Sequence, residues 1–320
     1  MTTPPPRPRI APDAARLALV PVERHECVLG AYQRAASAVR TPELSRAGYA
    51  LTRRASGGPA LIVGPGTLHL ALALPSPGAL TDCPDDRLLN RYVRPLLRAL
   101  RRAGVRASYF GRDWVSADHR PIAWVGFALY DDRAAWVEAI LPVSHSFLLP
   151  ARFDGYPLRA LDPFLGAIPA TLETMRGAPL DPAELTRLIV EEYAKAYGDL
   201  APGDFTNAEL RPDAVDARPP WDVVLEEAIG FIGAAGGAAP ELGGDLFASE
   251  GAARRLSALL AGVLRGELAT DDETLDAACY ELARSEVIDG VRDLHTIIRA
   301  IRRVAEGAGP AASDGSSRAR

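Results

Sequence analysis

The chain has 320 residues, 48% of them hydrophobic, and a formal net charge of −5, so it can bury a substantial core and exceeds the usual size of one domain. The mild charge, with no basic cluster interleaved with aromatics, excludes a nucleic-acid footprint, and no apolar run reaches the length that spans a bilayer. Three widely spaced cysteines, Cys27, Cys83 and Cys279, give neither a disulfide framework nor a zinc-type spacing, so reduced thiols and a cytoplasmic, non-membrane protein are expected.

Residues 1–13 are rich in proline, with Met1 followed by Thr-Thr-Pro-Pro-Pro rather than a signal-type segment, and are expected to be disordered. Glu26 to Arg40 reads as a helix, and a strand is expected from Tyr49 to Thr52. That strand leads into Arg53-Arg54-Ala55-Ser56-Gly57-Gly58, a positively charged glycine turn. Glycines without Cβ let backbone N–H groups approach an anion, and two arginines offer planar forks for a phosphate or carboxylate. The bland reading of such a stretch is an ordinary surface loop. Gly64-Pro65-Gly66 and an alternating strand, Leu68 to Leu74, follow.

Asp85-Asp86 opens a helix with Leu89, Val93, Leu96, Leu97 and Leu100 at helical spacing and Gly104 as its stop; Pro95 is expected to kink or end it. Strands are expected at Ala107 to Phe110, Ile122 to Tyr130 and Trp136 to Val143, the last two joined through Asp131-Asp132-Arg133. Asp181 to Tyr197 is an amphipathic helix with an Asp-Pro start that stops at Gly198. Four prolines between Leu200 and Asp222 mark a boundary. The expected organisation is therefore a domain at 14–200, a linker at 201–220, an accessory domain at 221–306 and a disordered tail at 307–320. Glu226-Glu227 and Asp271-Asp272-Glu273 read as helix starts, and Glu250 to Leu264 as a helix. The fold class is α+β, a mixed sheet flanked by helices, with a smaller C-terminal unit that is α/β or mostly helical.

The order of these segments resembles the lipoate-protein ligase and octanoyltransferase family, within the biotin/lipoate A/B protein ligases. Its carriers are the Arg-Arg-x-Ser-Gly-Gly turn, Gly64-Pro65-Gly66, Arg112-Asp113-Trp114-Val115 and Ile122-Ala123-Trp124-Val125-Gly126. The resemblance implies a biotin/lipoate ligase-like fold and attachment of a lipoyl or octanoyl group to a lysine of a carrier domain. It implies ATP with magnesium or an acyl-AMP as ligand, and a lipoyl domain or acyl-carrier protein as partner. It places substrate binding at Arg53, Arg54, Ser56, Gly57, Gly58, Gly66, Arg112, Asp113, Trp124 and Gly126. Gly243-Gly244-Asp245-Leu246-Phe247 and the helix after it resemble the family's accessory domain.

The chain also departs from the family pattern. The family's lysine before Ile-Ala-x-x-Gly falls on Pro121, which offers neither a side-chain donor nor an N–H. The histidine before the glycine turn falls on Val63, and no cysteine lies between Cys83 and Cys279 to carry a thioester. Cys83 sits among acidic residues that raise a thiol pKa. His69 reads as a satisfied or exposed imidazole, Ser144-His145-Ser146 as a loop network, and Lys195, the single lysine, as a partner for Glu191. Trp114 and Trp124 either line an acyl pocket or fill the core. Two readings stay open, an acyl-attaching enzyme with an arginine in place of the lysine, and a non-catalytic relative that binds an acyl group or a lipoyl domain.

Overall fold

The computed structural model describes residues 6–111, 113–156, 168–227, 230–289 and 294–307. In chain order, β1 (Arg16–Pro21) and β2 (Glu26–Leu29) precede the short helices α1 (Ala35–Ala38) and α2 (Thr41–Arg46). Then come β3 (Ala50–Arg53), β4 (Leu61–Val63), β5 (Thr67–Leu74), α3 (Leu88–Arg102), β6 (Ser108–Tyr109), β7 (Trp114–Ala117), β8 (Arg120–Leu129) and β9 (Ala135–Pro142). They are followed by α4 (Leu172–Arg176), α5 (Pro182–Tyr197), β10 (Ala201–Pro202) and α6 (Asn207–Leu210). The C-terminal part holds β11 (Val223–Glu227), β12 (Gly230–Ala235), β13 (Glu241–Gly244), β14 (Phe247–Ala248), α7 (Glu250–Leu264), α8 (Asp272–Ser285), β15 (Ile288–Asp289) and α9 (Leu294–Gly307).

Seven strands form a mixed sheet in the order β10-β1-β5-β9-β8-β7-β6, antiparallel except where β1 meets β10. The alternation in β5 sorts its side chains by size. Leu68, Leu70, Leu72 and Leu74 enter the core shared with α3 and α5, while Ala71 and Ala73 face a second cluster with Trp136 and Phe205. His69 lies on that small-residue face, because successive strand side chains point to opposite sides. A separate three-stranded sheet places β2 between β3 and β4.

The helix α3 does not end at Pro95. Proline lacks the N–H that would satisfy the carbonyl four residues earlier, and Tyr197 of α5 supplies the missing donor: its hydroxyl bonds the Arg91 carbonyl at 3.0 Å. Tyr193 likewise donates to the Tyr92 carbonyl at 2.6 Å. The start of α5 is capped by Asp181, whose side chain accepts from Ala183 N, and it stops at Gly198 with φ +83°.

Two expected helices are strands instead. Glu26–Leu29 pairs on both sides, with β3 and β4, and Cys27, Val28 and Leu29 are fully buried; helix is confined to Ala35–Ala38 in that stretch. Glu226 lies in β11, the edge of the antiparallel sheet β11-β12-β13. Long-range pairing overrides local propensity in both places. The C-terminal core joins this sheet to α7, α8 and α9 through Ile232, Leu256, Leu275 and Ile301. No described helix is long and apolar enough to cross a membrane.

Candidate functional site

The arginine turn is buried. Arg53, the last residue of β3, donates through Nη1 to the carbonyls of Gly30, Ala31 and Gln33 at 2.8, 3.2 and 2.7 Å, and through Nη2 to Asp216 at 2.7 Å. It thereby fixes the loop after β2. Arg54 is fully buried. Its Nη2 bonds the carbonyls of Gly57 and Pro59 at 2.6 and 2.8 Å, its Nη1 that of Val28 at 3.2 Å, and its guanidinium carbon lies 4.0 Å from the Trp124 ring centre. Burial pulls both guanidinium groups down to about 10, so both stay charged near neutrality. Their forks are engaged by the protein's own oxygens.

The glycines of the turn make room for another part of the chain. A Cβ at Gly57 would collide with the Leu246 carbonyl oxygen, and one at Gly58, where φ is +87°, would lie 2.7 Å from Cζ of Phe247. The Gly58 N–H donates to the Leu246 carbonyl at 3.3 Å. The Phe247 ring is 3% exposed and stacks near Trp124 and Phe127 at centroid distances of 6.2 and 5.9 Å. It is brought there by β14, which packs against β8. Trp124 and Phe127 therefore flank an apolar slot beside a cationic turn, and Phe247 fills it.

Beneath the turn lies a buried polar chain that sequence reasoning missed. Glu138 of β9 accepts the Ser56 N–H at 3.0 Å and contacts His69 Nε2 at 2.7 Å. Arg211 bonds His69 Nδ1 at 2.7 Å and Glu26 at 2.9 Å, and Glu26 also accepts from Thr52 at 3.1 Å. Burial depresses the His69 pKa, Glu138 working against it. Burial alone would raise that of Glu138, but the bond to His69, the Ser56 N–H and the Arg54 charge bring it below the ordinary value. An arginine can only donate, so His69 Nδ1 is the acceptor and Nε2 carries the proton given to Glu138. The one available signal was the register: Glu138 faces Ala71 across the strand pair, which sets it on the same side as His69.

The remaining sequence candidates are distributed around this centre. Gly126 faces the Trp124 ring and Ser56 Oγ, where a Cβ would not fit. Gly66, with φ +95°, lies against Ser144. Asp113 is buried, and its carbonyl accepts from Val125 N at 2.9 Å. Arg112 lies outside the described residues. Pro121 is buried in β8 opposite Ser116, beside a bulge at Val115/Ser116, and its neighbour Arg120 donates to the carbonyls of Ile168 and Pro169. Lys195 bonds Glu192 at 2.8 Å rather than the expected Glu191, which pairs with Arg102 and Arg187. Cys83 is buried, and burial first, then its acidic neighbours, raise its pKa. Among the described residues no three His, Cys, Asp or Glu side chains are grouped to hold a metal.

Residues 10–149 match the model of the lipoyl protein ligase A/B catalytic domain. No curated protein is significantly similar to the chain. Among solved structures, P. falciparum LipL1 in complex with lipoate covers 91% of this chain and 87% of its own, with a TM-score of 0.62 and 11% identity. A bipartite lipoate protein ligase from Thermoplasma acidophilum, described with its E2 lipoyl domain, covers 61% of this chain and 76% of its own, with a TM-score of 0.50 and 16% identity. At such identities the likeness concerns the fold. With the domain model matched over residues 10–149 and the mixed sheet, glycine turn and flanking helices in place, that part of the chain is similar to the lipoyl protein ligase A/B catalytic domain and has the lipoate ligase fold.

Proposed function

We propose that this protein is a diverged lipoate ligase relative that binds a lipoyl- or octanoyl-type acyl group, presented by a lipoyl-type carrier domain, without catalysing its attachment. The observation that carries this reading is the pairing of an apolar slot with a turn whose cations are already engaged. Trp124 and Phe127 supply a lining suited to an aliphatic chain, and the slot accepts an apolar group, since it holds the Phe247 ring. The carrier domain enters by analogy with the T. acidophilum system, and the division into a domain at 14–200, a linker at 201–220 and an accessory unit at 221–306 belongs to the same proposal.

The described residues at the turn do not fit acyl-adenylate chemistry. Bringing a carboxylate to an α-phosphate requires a cationic donor placed between two anions. Arg53 and Arg54 spend their donors on main-chain oxygens and Asp216, the position of the family lysine holds Pro121, and the chain's single lysine is Lys195. That lysine lies in α5, which packs on the leucine face of β5, across the sheet from Ser56, His69 and Glu138.

The test has two arms. The purified protein is assayed for ATP-dependent transfer of octanoate to a lipoyl domain, beside an active ligase, and is titrated calorimetrically with a non-hydrolysable octanoyl-AMP analogue. Binding without turnover is expected. Turnover at the rate of the control would overturn the non-catalytic assignment, and absence of heat in the titration would overturn the acyl-binding one.

A further inference from the structure

The segment that fills the slot is a strap with its own fastenings. Gly244 N donates to the Tyr32 carbonyl at 3.0 Å, Asp245 accepts from Gln33 Nε2 at 2.5 Å, and the Tyr32 hydroxyl donates to the Ala248 carbonyl at 2.8 Å. With the Gly58 N–H on Leu246, four hydrogen bonds hold Gly244–Ala248 to the N-terminal part on either side of one inserted aromatic ring. The loop that receives them is held in turn by Arg53, through the carbonyls of Gly30, Ala31 and Gln33. The two halves of the arrangement are thus coupled: the arginine that begins the turn shapes the loop that fastens the strap over the turn.

We infer that the Gly244–Ala248 strap is an intramolecular competitor for the acyl site, with Phe247 standing where the ligand's aliphatic chain goes. The inference rests on the acyl-binding reading above and adds its regulation. Three features support competition over passive packing. The ring enters from β14, a two-residue strand whose sheet partner among the described residues is the two-residue β15, so few ladder bonds oppose its departure, while Leu246 and Ala248 on either side anchor the segment in the C-terminal core. The ring lies against Gly58 and the strap's main chain at Leu246 and Phe247 against Gly57, the two turn positions where a side chain would prevent its seating. Its fastenings are discrete hydrogen bonds to the Tyr32–Gln33 loop and to Gly58, the one between Gln33 and Asp245 buried, so the strap is held closed by contacts that single substitutions remove. A ligand that binds only the open form has its apparent affinity reduced by the open fraction, so a carrier domain that also engages the strap or Tyr32 would raise acyl affinity by opening the site.

The experiment uses octanoic acid as probe on the full chain, in wild type, Tyr32→Phe and Phe247→Ala, with 4-fluorophenylalanine at position 247 of the first two as a ¹⁹F reporter. Tyr32→Phe removes one fastening and leaves the slot lining intact; it remains informative if Phe247→Ala fails to fold. Competition predicts a ¹⁹F shift on octanoate addition, about threefold tighter binding in Tyr32→Phe and about tenfold or more in Phe247→Ala, as the open fraction rises. Equal affinity in all folded variants with an unmoved ¹⁹F signal overturns the strap while leaving the acyl site standing. Binding confined to Phe247→Ala marks an engineered cavity and also overturns the strap. No binding in any variant overturns the acyl-binding reading itself.

Discussion

His69 Nε2 lies 2.7 Å from Glu138 Oε2, with both side chains fully buried beneath the turn. The pair makes the fold acid-sensitive in a definite direction. Burial holds the folded-state pKa of His69 below its ordinary 6.5, so the unfolded chain takes up that proton first. The histidine's contribution is complete above pH 6.5 and falls as pH drops below it, by at most about 1.4 kcal/mol per pH unit. Glu138, depressed below 4.5, adds a second loss below that value. Urea midpoints across pH 8 to 4 should show both limbs, and His69→Gln should flatten the first. His145, also held low by burial and by His25, contributes to the same limb and is separable with His145→Asn. A His69→Gln variant with the wild-type slope would refute the assignment.

The turn glycines should resist even alanine. At Gly58 the backbone has φ +87° and the new methyl would meet Phe247, while at Gly57 it would meet the Leu246 carbonyl. Overpacking of this kind costs about 1–3 kcal/mol, with positive φ adding to it at Gly58. Gly48, with φ +79° and open space around its Cβ position, isolates the backbone contribution. Chemical denaturation of Gly57→Ala, Gly58→Ala and Gly48→Ala should rank Gly48→Ala mildest. Equal effects would mean that the strap does not press on the turn.

The same turn shows what the sequence reveals and what it hides. The motif order and the alternation of Leu68 to Leu74 are local signals, and they identify the sheet and the turn. The seating of Phe247 is decided by a contact between residues far apart in the chain, and nothing in Gly57-Gly58 tells whether an anion or a carbonyl will approach. Glu26 is hidden for a related reason. A carboxylate before Cys-Val-Leu reads as the start of a helix until Arg211, 185 positions away, reaches it. Asp181-Pro182 and Gly198, by contrast, act on their own neighbours, and α5 begins and ends where they direct. The helix around Lys195 is equally local, but the partner of its ammonium is not: Glu191 and Glu192 both meet arginines of α3, and the lysine joins the pair at Glu192.

Arg54 separates ligand recognition from architecture. Arg54→Lys keeps a positive charge but loses the fork that reaches Gly57, Pro59 and Val28, together with its stacking on Trp124. Carbonyls left unpaired in the interior cost about 1–3 kcal/mol each, so a total loss of about 2–4 kcal/mol is expected. Arg94→Lys, on the exposed side of α3, should change stability by about 0.5 kcal/mol or less. If Arg54→Lys instead spared stability and lowered affinity for the octanoyl-AMP analogue, the guanidinium would be a ligand contact and the buried arrangement would not describe the working protein.

Lys195 gives the decisive comparison between the catalytic and non-catalytic readings, because a lysine-dependent ligase would have no other lysine to use. Its ammonium bonds Glu192 at 2.8 Å, where Arg98 and Arg102 also converge. Lys195 first, then Arg102 and Arg98, overcome burial and bring the Glu192 pKa down to about 2. The folded value lies below the unfolded 4.5, so the stabilisation is complete above pH 4.5 and is lost as pH falls toward 2. Lys195→Ala should narrow that window, leaving the protein less stable both at pH 7.5 and at pH 4 and nearly unchanged in octanoyl-AMP analogue affinity at pH 7.5. Denaturation at the two pH values and calorimetry on the same preparation check both parts. A large loss of affinity with intact stability would place the ammonium in the ligand site and would overturn its assignment to the α3–α5 contact, on the opposite side of the sheet from the turn.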